Sequence, residues 1–484
     1  MVVEASSNVY LATAAAFLGA ISVGIGLGYT SPALITLQKV DHYSNNTSTL
    51  INSDRIASKR EAFFIGASLT IGAFFGSLFG GPISQILGRR KALILYGIPY
   101  AVGCALIYVA ENVAIIITGR VIVGLGSGMI CSTAPTYVVE ISTPKTRGFL
   151  GSCFQICITI GIFLMALFGI FSNEQFDYIF TWRYLALIGV LPSLGLSATM
   201  LLMPESPSWL ILKKFRINEE PEKTLAKLRT AKSDLETELK ELKEQTSLVK
   251  SNLLSFTELK KPEVWKSFTL SLALMFFQQF SGINIVIFFQ TQVLKEAGFS
   301  SPAIGTAISC FAQLIFTALG AYIMDKLGRR KLLLLSGCGH SLSLLVLGVY
   351  FRFLLNDNTK LTLVPVICLV VYLASYSIGW GPIPWLMIPE ITPSTARSFV
   401  SSIASSFNSI CALIVSLSFD YICEALEISK TFWLYTGFCV VSCIFTCLFL
   451  PETKGKTFDD ILKSFRKNEP ENRSESVQLE PLKQ

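Results

Sequence analysis

The 484-residue sequence predicts an all-α membrane protein, with twelve transmembrane helices in two six-helix bundles. Three observations carry that prediction. The chain is 51% hydrophobic and only 15% charged, where soluble proteins carry about 25% charge. Twelve apolar runs, at 9–30, 62–84, 91–110, 113–139, 148–171, 182–203, 267–291, 301–325, 331–354, 362–389, 398–423 and 431–450, come near or exceed the length that crosses a bilayer. Motifs of the first half also return in the second, in the same order.

The repeat is specific. Gly88-Arg89-Arg90-Lys91 returns as Gly328-Arg329-Arg330-Lys331. Glu140-Ile141-Ser142-Thr143-Pro144 with Arg147 returns as Glu390-Ile391-Thr392-Pro393 with Arg397, and Pro204-Glu205-Ser206 as Pro451-Glu452-Thr453. Each falls at the corresponding loop of a six-span half, as in a parallel repeat with the substrate route between the halves. The chain divides into an N-terminal bundle (1–203), a cytoplasmic linker (204–266), a C-terminal bundle (267–450) and a cytoplasmic tail (451–484).

In order along the chain, span one follows a short polar head without a small-residue cleavage site, so it is expected to be retained. Its Gly24, Gly26 and Gly28 permit close helix contact. The outer loop 31–61 holds overlapping sequons at Asn45 and Asn46, candidate glycosylation sites. Span four ends at Glu140, and span five carries Gln155. In the linker, Leu225, Leu228, Leu235, Leu239 and Leu242 at helical spacing predict amphipathic helices. Span eight carries Gln313 and span eleven Asn408. Span ten contains Gly379-Trp380-Gly381-Pro382-Ile383-Pro384-Trp385, whose two prolines and two glycines interrupt a helix.

The net charge of +7 raises the question of a nucleic-acid partner. The basic residues concentrate in the loops and segments on one face, which sets membrane orientation with both termini cytoplasmic and argues against a polyanion partner. The twelve cysteines lie within or at the ends of spans, as small apolar packers. With two distant histidines, His42 and His340, no metal constellation is present, and no cofactor is expected.

The richest stretch is Phe277-Gln278-Gln279-Phe280-Ser281-Gly282-Ile283-Asn284 in span seven. Three carboxamides at mid-membrane depth are groups that hydrocarbon cannot satisfy. At about 100° per residue, Gln279 and Asn284 lie roughly 140° apart on an unbroken helix. They converge if the helix breaks at Ser281-Gly282, and interrupted polar helices at mid-depth mark transporter binding sites. Helix–helix adhesion is the competing reading. Together with Gln155, Gln313, Asn408 and Trp385, these residues suit a sugar, which offers a C–H face for stacking and hydroxyls that donate and accept.

At one mouth, the basic residues Arg89, Arg90, Arg329 and Arg330 lie near Glu140 and Glu390, with Arg147, Arg397 and Asp325 beside them. Glutamate–arginine pairs across the halves are expected to close this gate in one state and part in the other.

The chain resembles the sugar porter family of the major facilitator superfamily over nearly its whole length. The matching elements are the two GRRK loops, PESPSWL at 204–210, QQFSGIN at 278–284, GPIPW at 381–385 and PETKG at 451–455. The resemblance implies the major facilitator fold and hexose contacts at Gln155, Gln278, Gln279, Asn284, Trp385 and Asn408, with Gln313 where many members have Asn. Ser377, Gln85, Ser208, Ser409 and Ala412 depart from common family residues. The Tyr29-Thr30-Ser31-Pro32-Ala33 entry is similar to intracellular-type glucose transporters and arthropod trehalose facilitators.

The expected function is uniport of a hexose, glucose first, by a monomer in the plasma membrane, with no partner beyond sugar and lipid. A trehalose or other disaccharide facilitator is the alternative, and a non-transporting sugar sensor a third reading. An enzyme is not expected, because no nucleophile, base or metal cluster lies at depth. Proton coupling needs a titrating group in the pathway, and the proton-coupled members carry Asp where this chain has Thr30.

Overall fold

The structure, a computed structural model, describes residues 6–37, 57–143, 146–172, 179–212, 220–230, 235–240, 242–243, 262–354, 361–393 and 396–453. Of Lys59, Arg147, Glu263, Asp325, Arg397 and Ser398 it describes the backbone alone. Asn45 and Asn46 lie outside the described residues, as does the tail beyond Thr453.

Twelve helices among the described residues are long and apolar enough to cross a membrane. The first six are Ser7–Gly28, Arg60–Leu87, Arg89–Tyr108, Val113–Ile141, Gly148–Ser172 and Trp182–Met200. The second six are Val264–Glu296, Pro302–Met324, Arg329–Leu354, Leu363–Ile391, Phe399–Leu426 and Ile428–Phe449. These are the twelve spans read from the sequence, with ends displaced by a few residues. The chain is an integral multi-pass membrane protein.

In a bilayer core each backbone N–H and C=O must be satisfied within the protein, so the apolar runs become helices. Their ends are set by polar caps. Ser58 and Glu61 form a capping box at the start of span two, with the Ser58 N–H donating to Glu61 Oε2 at 2.7 Å. Asn112 Oδ1 accepts the Ile115 N–H at 3.0 Å at the start of span four.

The even number of spans places Ser6, Thr453 and the described linker residues on one side, called here the terminus side. The described linker helix Pro221–Leu228 buries Leu225 and Leu228. It docks on the N-terminal half: the Ser6 N–H donates to Leu228 O at 3.1 Å, and Arg229 Nη1 donates to Ile141 O at 2.9 Å. Arg229 is also held by Glu238, with the closest contact at 2.7 Å. Leu225 and Leu228 are two of the five linker leucines at helical spacing, and the helix that carries them follows the N-terminal half.

The halves meet on the far side. Ser31 Oγ and Thr291 Oγ1 lie 2.6 Å apart across the seam, and Thr291 continues to Thr306 at 2.9 Å. Phe63 of span two packs on Phe289 of span seven at 4.7 Å and on Phe419 of span eleven at 6.0 Å. Arg60 and Glu424 join the rims of spans two and eleven at 3.4 Å. Ser77 and Ser409 touch near mid-depth, at 3.5 Å. These contacts join the two halves from the far side to mid-depth.

Candidate functional site

Span seven is two helices, Pro262–Phe280 and Ile283–Glu296, and the break is at Ser281-Gly282 as the sequence predicts. Gly282 has φ of 89°, the left-handed region that a side chain makes costly. The turn swings Asn284 back under Gln279, and Asn284 Nδ2 donates to Gln279 Oε1 at 2.6 Å. Span ten is broken too, into Leu363–Ile378 and Ile383–Ile391.

The carboxamides form one chain. Gln279 Nε2 donates to Asn408 Oδ1 at 3.0 Å, and Asn408 Nδ2 donates to Gln278 Oε1 at 2.8 Å. Gln278 Nε2 then donates to Trp380 O at 2.9 Å and Gly381 O at 3.0 Å. The structure thus brings Gln278, Gln279, Asn284 and Asn408 together, from spans seven and eleven, onto the break of span ten. Gln155, Gln313 and Trp385 share no hydrogen bond with this network among the described residues. Gln155 is half-buried on span five. Gln313 is buried, and its Oε1 accepts no hydrogen bond. Trp385, just after the span-ten break, keeps 43% of its surface uncovered, whereas Trp380 is buried.

The gating residues assemble differently from the sequence expectation. Arg89 grips Glu140 with two bonds of 3.0 Å, and Arg329 holds Glu390 at 3.1 Å. These pairs lie within each half, not across the seam. The reason is local: the basic loop starts span three or nine on the same side where span four or ten of that half ends. Arg90 and Arg330 donate to backbone carbonyls of their own halves, Met203 O and Cys447 O. The side chains of Arg147, Arg397 and Asp325 lie outside the described residues.

The third repeated motif belongs to the same clusters. Glu205 accepts the backbone N–H groups of Arg89 and Arg90 at 2.9 and 3.0 Å, and Glu452 accepts those of Arg329 and Arg330 at 3.0 and 3.2 Å. Each carboxylate caps the N-terminus of a span, where the orphan N–H groups and the helix dipole favour negative charge. Ser206 reaches Glu140 at 2.5 Å and Thr453 reaches Glu390 at 2.7 Å. Burial pushes the Glu205 carboxyl up from the usual range, while the three amide donors and the Arg90 charge oppose the shift. Gly88 and Gly328 let the carboxylates approach, since a Cβ there would meet Glu205 at 2.4 Å or Glu452 at 2.9 Å.

Sequence reasoning missed Arg120. It is 1% exposed in span four and donates to Gly26 O and to Thr30 Oγ1, each at 2.7 Å. Its charge lies 5.3 Å from the Tyr29 ring. No carboxylate bonds it among the described residues. The available signal was an arginine within an apolar run, since charges at that depth default to function. Tyr372 was missed as well. Its hydroxyl donates to Ser281 O at 2.9 Å, and only the broken backbone gives it that partner. His340 is buried against Tyr372 and Tyr376, with ring centroids 4.9 and 5.8 Å away.

Two six-span halves, paired helix breaks at mid-depth and mirrored charge clusters at one mouth define a transporter of the major facilitator fold. Among solved structures, a double-tryptophan mutant of XylE matches with a TM-score of 0.76 at 24% identity, covering 95% of this chain and 99% of that one. The inward-open xylose transporter XylE from E. coli matches at 0.75 and 24%, over 94% and 99%. The chain belongs to the sugar transporter family: the family described as "Sugar (and other) transporter" matches residues 11–465. It is 34% identical to the facilitated trehalose transporter Tret1 of Bombyx mori, over 93% of this chain and 85% of that protein. It is 31% identical to the solute carrier family 2, facilitated glucose transporter member 8 of Mus musculus, over 95% and 94%. Against Tret1-1 of Drosophila sechellia the identity is 34% over 93% of this chain, which spans about half, 51%, of that relative's length.

Proposed function

We propose that the chain is a facilitative sugar transporter that carries a hexose, glucose first, by alternating access. The observation that carries the reading is the carboxamide chain at the two helix breaks, neutral throughout and built from groups that both donate and accept. Gln279, Asn284 and Asn408 are the sugar-facing members, with Gln155, Gln313 and Trp385 completing the site. A neutral polyol exchanges hydrogen bonds with such groups without moving charge into the membrane.

A disaccharide is the second reading, because relatives named as trehalose transporters are 34% identical over most of the chain. The orientation follows from the basic loops: the terminus side is cytoplasmic. The Arg89–Glu140 and Arg329–Glu390 clusters are then the two lips of the inner gate. Arg90, Arg147, Asp325, Arg330 and Arg397 complete those lips. We place the protein in the plasma membrane, as a monomer, with Asn45 and Asn46 as its glycosylation sites.

The test is counterflow in proteoliposomes of the purified full chain, with glucose, fructose, galactose and trehalose each inside and out. Saturable, stereospecific exchange of glucose supports the hexose reading. Exchange of trehalose alone supports the second, and exchange of none of them refutes both.

A further inference from the structure

Arg89–Glu140 lies within the first half, and Arg329–Glu390 and Arg352–Glu427 lie within the second. Arg60–Glu424 instead crosses the seam, at 3.4 Å. Neither of its charges suits its own helix. Arg60 lies in the first turn of span two, whose helix starts at Lys59, and Glu424 in the last turn of span eleven, whose helix ends at Leu426. A helix N-terminus favours an anion and a C-terminus a cation, so each side chain opposes the dipole of its own span. Each meets its compensating charge in the other half. Glu61, beside Arg60 in sequence, is engaged by the cap of span two, where its Oε2 accepts from the Ser58 N–H and hydroxyl. Asp420 lies one turn deeper than Glu424 on the same face of span eleven, and it lines a crevice with Arg60, Phe63 and Tyr421. Carboxylates at this spacing repel each other, and the Arg60 guanidinium is a cation placed to offset both. Phe63, one wall of the crevice, packs on Phe419 of span eleven at 6.0 Å.

We propose that Arg60 and Glu424 form an electrostatic latch across the far-side seam, which biases the transporter toward the state with the far side shut. When spans two and eleven part there, Arg60 is left at the positive end of span two and Glu424, with Asp420, at the negative end of span eleven. The parted state then bears two helix-dipole mismatches and a like-charge repulsion that the joined state offsets. Exposure sets the size of the bias. The Arg60 and Glu424 side chains keep 71% and 54% of their surface in solvent, and pairs so exposed shift an equilibrium by about fivefold at most. Such a latch tunes the balance between states without locking it, as a carrier that reopens in every cycle requires. Salt on the far side weakens it by screening. The inference rests on the alternating-access reading for what the parting accomplishes, and on the crossed helix ends for the latch itself.

The experiment is a charge-swap cycle on the purified full chain in nanodiscs, without sugar. Spin labels carried on non-canonical residues at Glu111 and Leu361, on the far-side loops of opposite halves, report the separation by pulsed electron resonance. The distance distribution gives the ratio of far-side-open to far-side-shut molecules. The variants are Arg60→Glu, Glu424→Arg and the two combined. Arg60→Gln and Glu424→Gln keep the test open if a reversed charge prevents folding. Each neutral variant should raise the ratio by about two- to fivefold, and each reversal by at least as much. The combined swap restores the pair, but its charges now suit their own helices. Its ratio should therefore fall below that of either single reversal and stay above wild type. High salt should raise the wild-type ratio and move Glu424→Gln less. Unchanged ratios in the single reversals, or in the neutral variants, overturn the latch. So do defects that multiply in the combined swap, which a merely structural role of the two side chains would produce. A chain that exchanges none of the tested sugars refutes the transport reading alone, because the sugar-free ratio still decides the latch.

Discussion

Glu205 and Glu452 hold equivalent positions in the two halves, each capping the N-terminus of the span that follows a basic loop. Their surroundings are not equal: Glu205 is 4% exposed and also accepts the Ser206 N–H, whereas Glu452 is only half-buried. Charge at a helix N-terminus contributes about 0.3–1 kcal/mol at exposed sites and up to ~2 kcal/mol when partly buried. Glu205→Gln should therefore lower stability by about 1–2 kcal/mol and Glu452→Gln by less. Thermal unfolding of the purified variants in one detergent reads the difference. Equal shifts would show that the capping charge does not set the cost.

Gln279 and Asn284 are predicted to act as one unit. Each alanine variant should raise the half-saturation concentration for sugar without loss of protein at the membrane. Lost or unpaired hydrogen bonds to a neutral substrate cost about 1–3 kcal/mol, or roughly 5- to 150-fold. Asn284 donates to Gln279 at 2.6 Å, so either deletion loosens the other, and the double variant should fall short of the product of the singles. Transport kinetics of the three variants measure this, and independent, multiplicative effects would contradict it.

Much of this was readable in the sequence. The twelve spans follow from apolar run length, which a bilayer enforces strictly. The break in span seven was legible because Gln279 and Asn284 cannot meet on an intact helix and Gly282 sits between them. The repeated motifs announced two halves, but not that PES and PET are the partners of the GRR loops. That pairing joins residues over a hundred positions apart through backbone amides, which leave no mark in side-chain chemistry. Glutamate–arginine complementarity was visible, yet charge alone does not say whether partners lie across the seam or beside it. Gln278 and Gln279 look alike in sequence, and only the carbonyls freed in span ten tell them apart.

The far-side seam yields a prediction on populations. Ser31 is buried and bonds Thr291 twice, through its hydroxyl and the Thr291 N–H at 3.2 Å. The contact ties the two halves together on the far side. Ser31→Ala should therefore destabilise the joined state by about 1 kcal/mol and shift the balance roughly fivefold toward far-side opening. Spin labels at Glu111 and Leu361, on the far-side loops of opposite halves, report the separation by pulsed electron resonance. An unchanged distance distribution would remove Ser31 from the gate.

The last prediction concerns coupling. Arg120 is a buried cation whose hydrogen bonds go to Gly26 O, Thr30 Oγ1 and Ile65 O, all neutral acceptors. Proton symport requires a group whose protonation differs between states, and a threonine hydroxyl supplies none near neutral pH. His340 is not a substitute, since it is sealed behind span ten against Tyr372 and Tyr376. Sugar should run down its own gradient, with no current and no proton uptake. Placing a carboxylate at Thr30 changes the physics, because Thr30 Oγ1 lies 2.7 Å from the Arg120 guanidinium. An aspartate there would pair with Arg120 when ionised and leave it when protonated, so its proton affinity would follow the distance to Arg120. Thr30→Asp should then slow net flux at neutral pH and make it rise as pH falls, while wild type stays flat. Sugar accumulation above equilibrium in sealed wild-type vesicles under an imposed pH gradient would overturn the uniport reading. A flat pH profile in Thr30→Asp would show that Arg120 does not move relative to span one during the cycle.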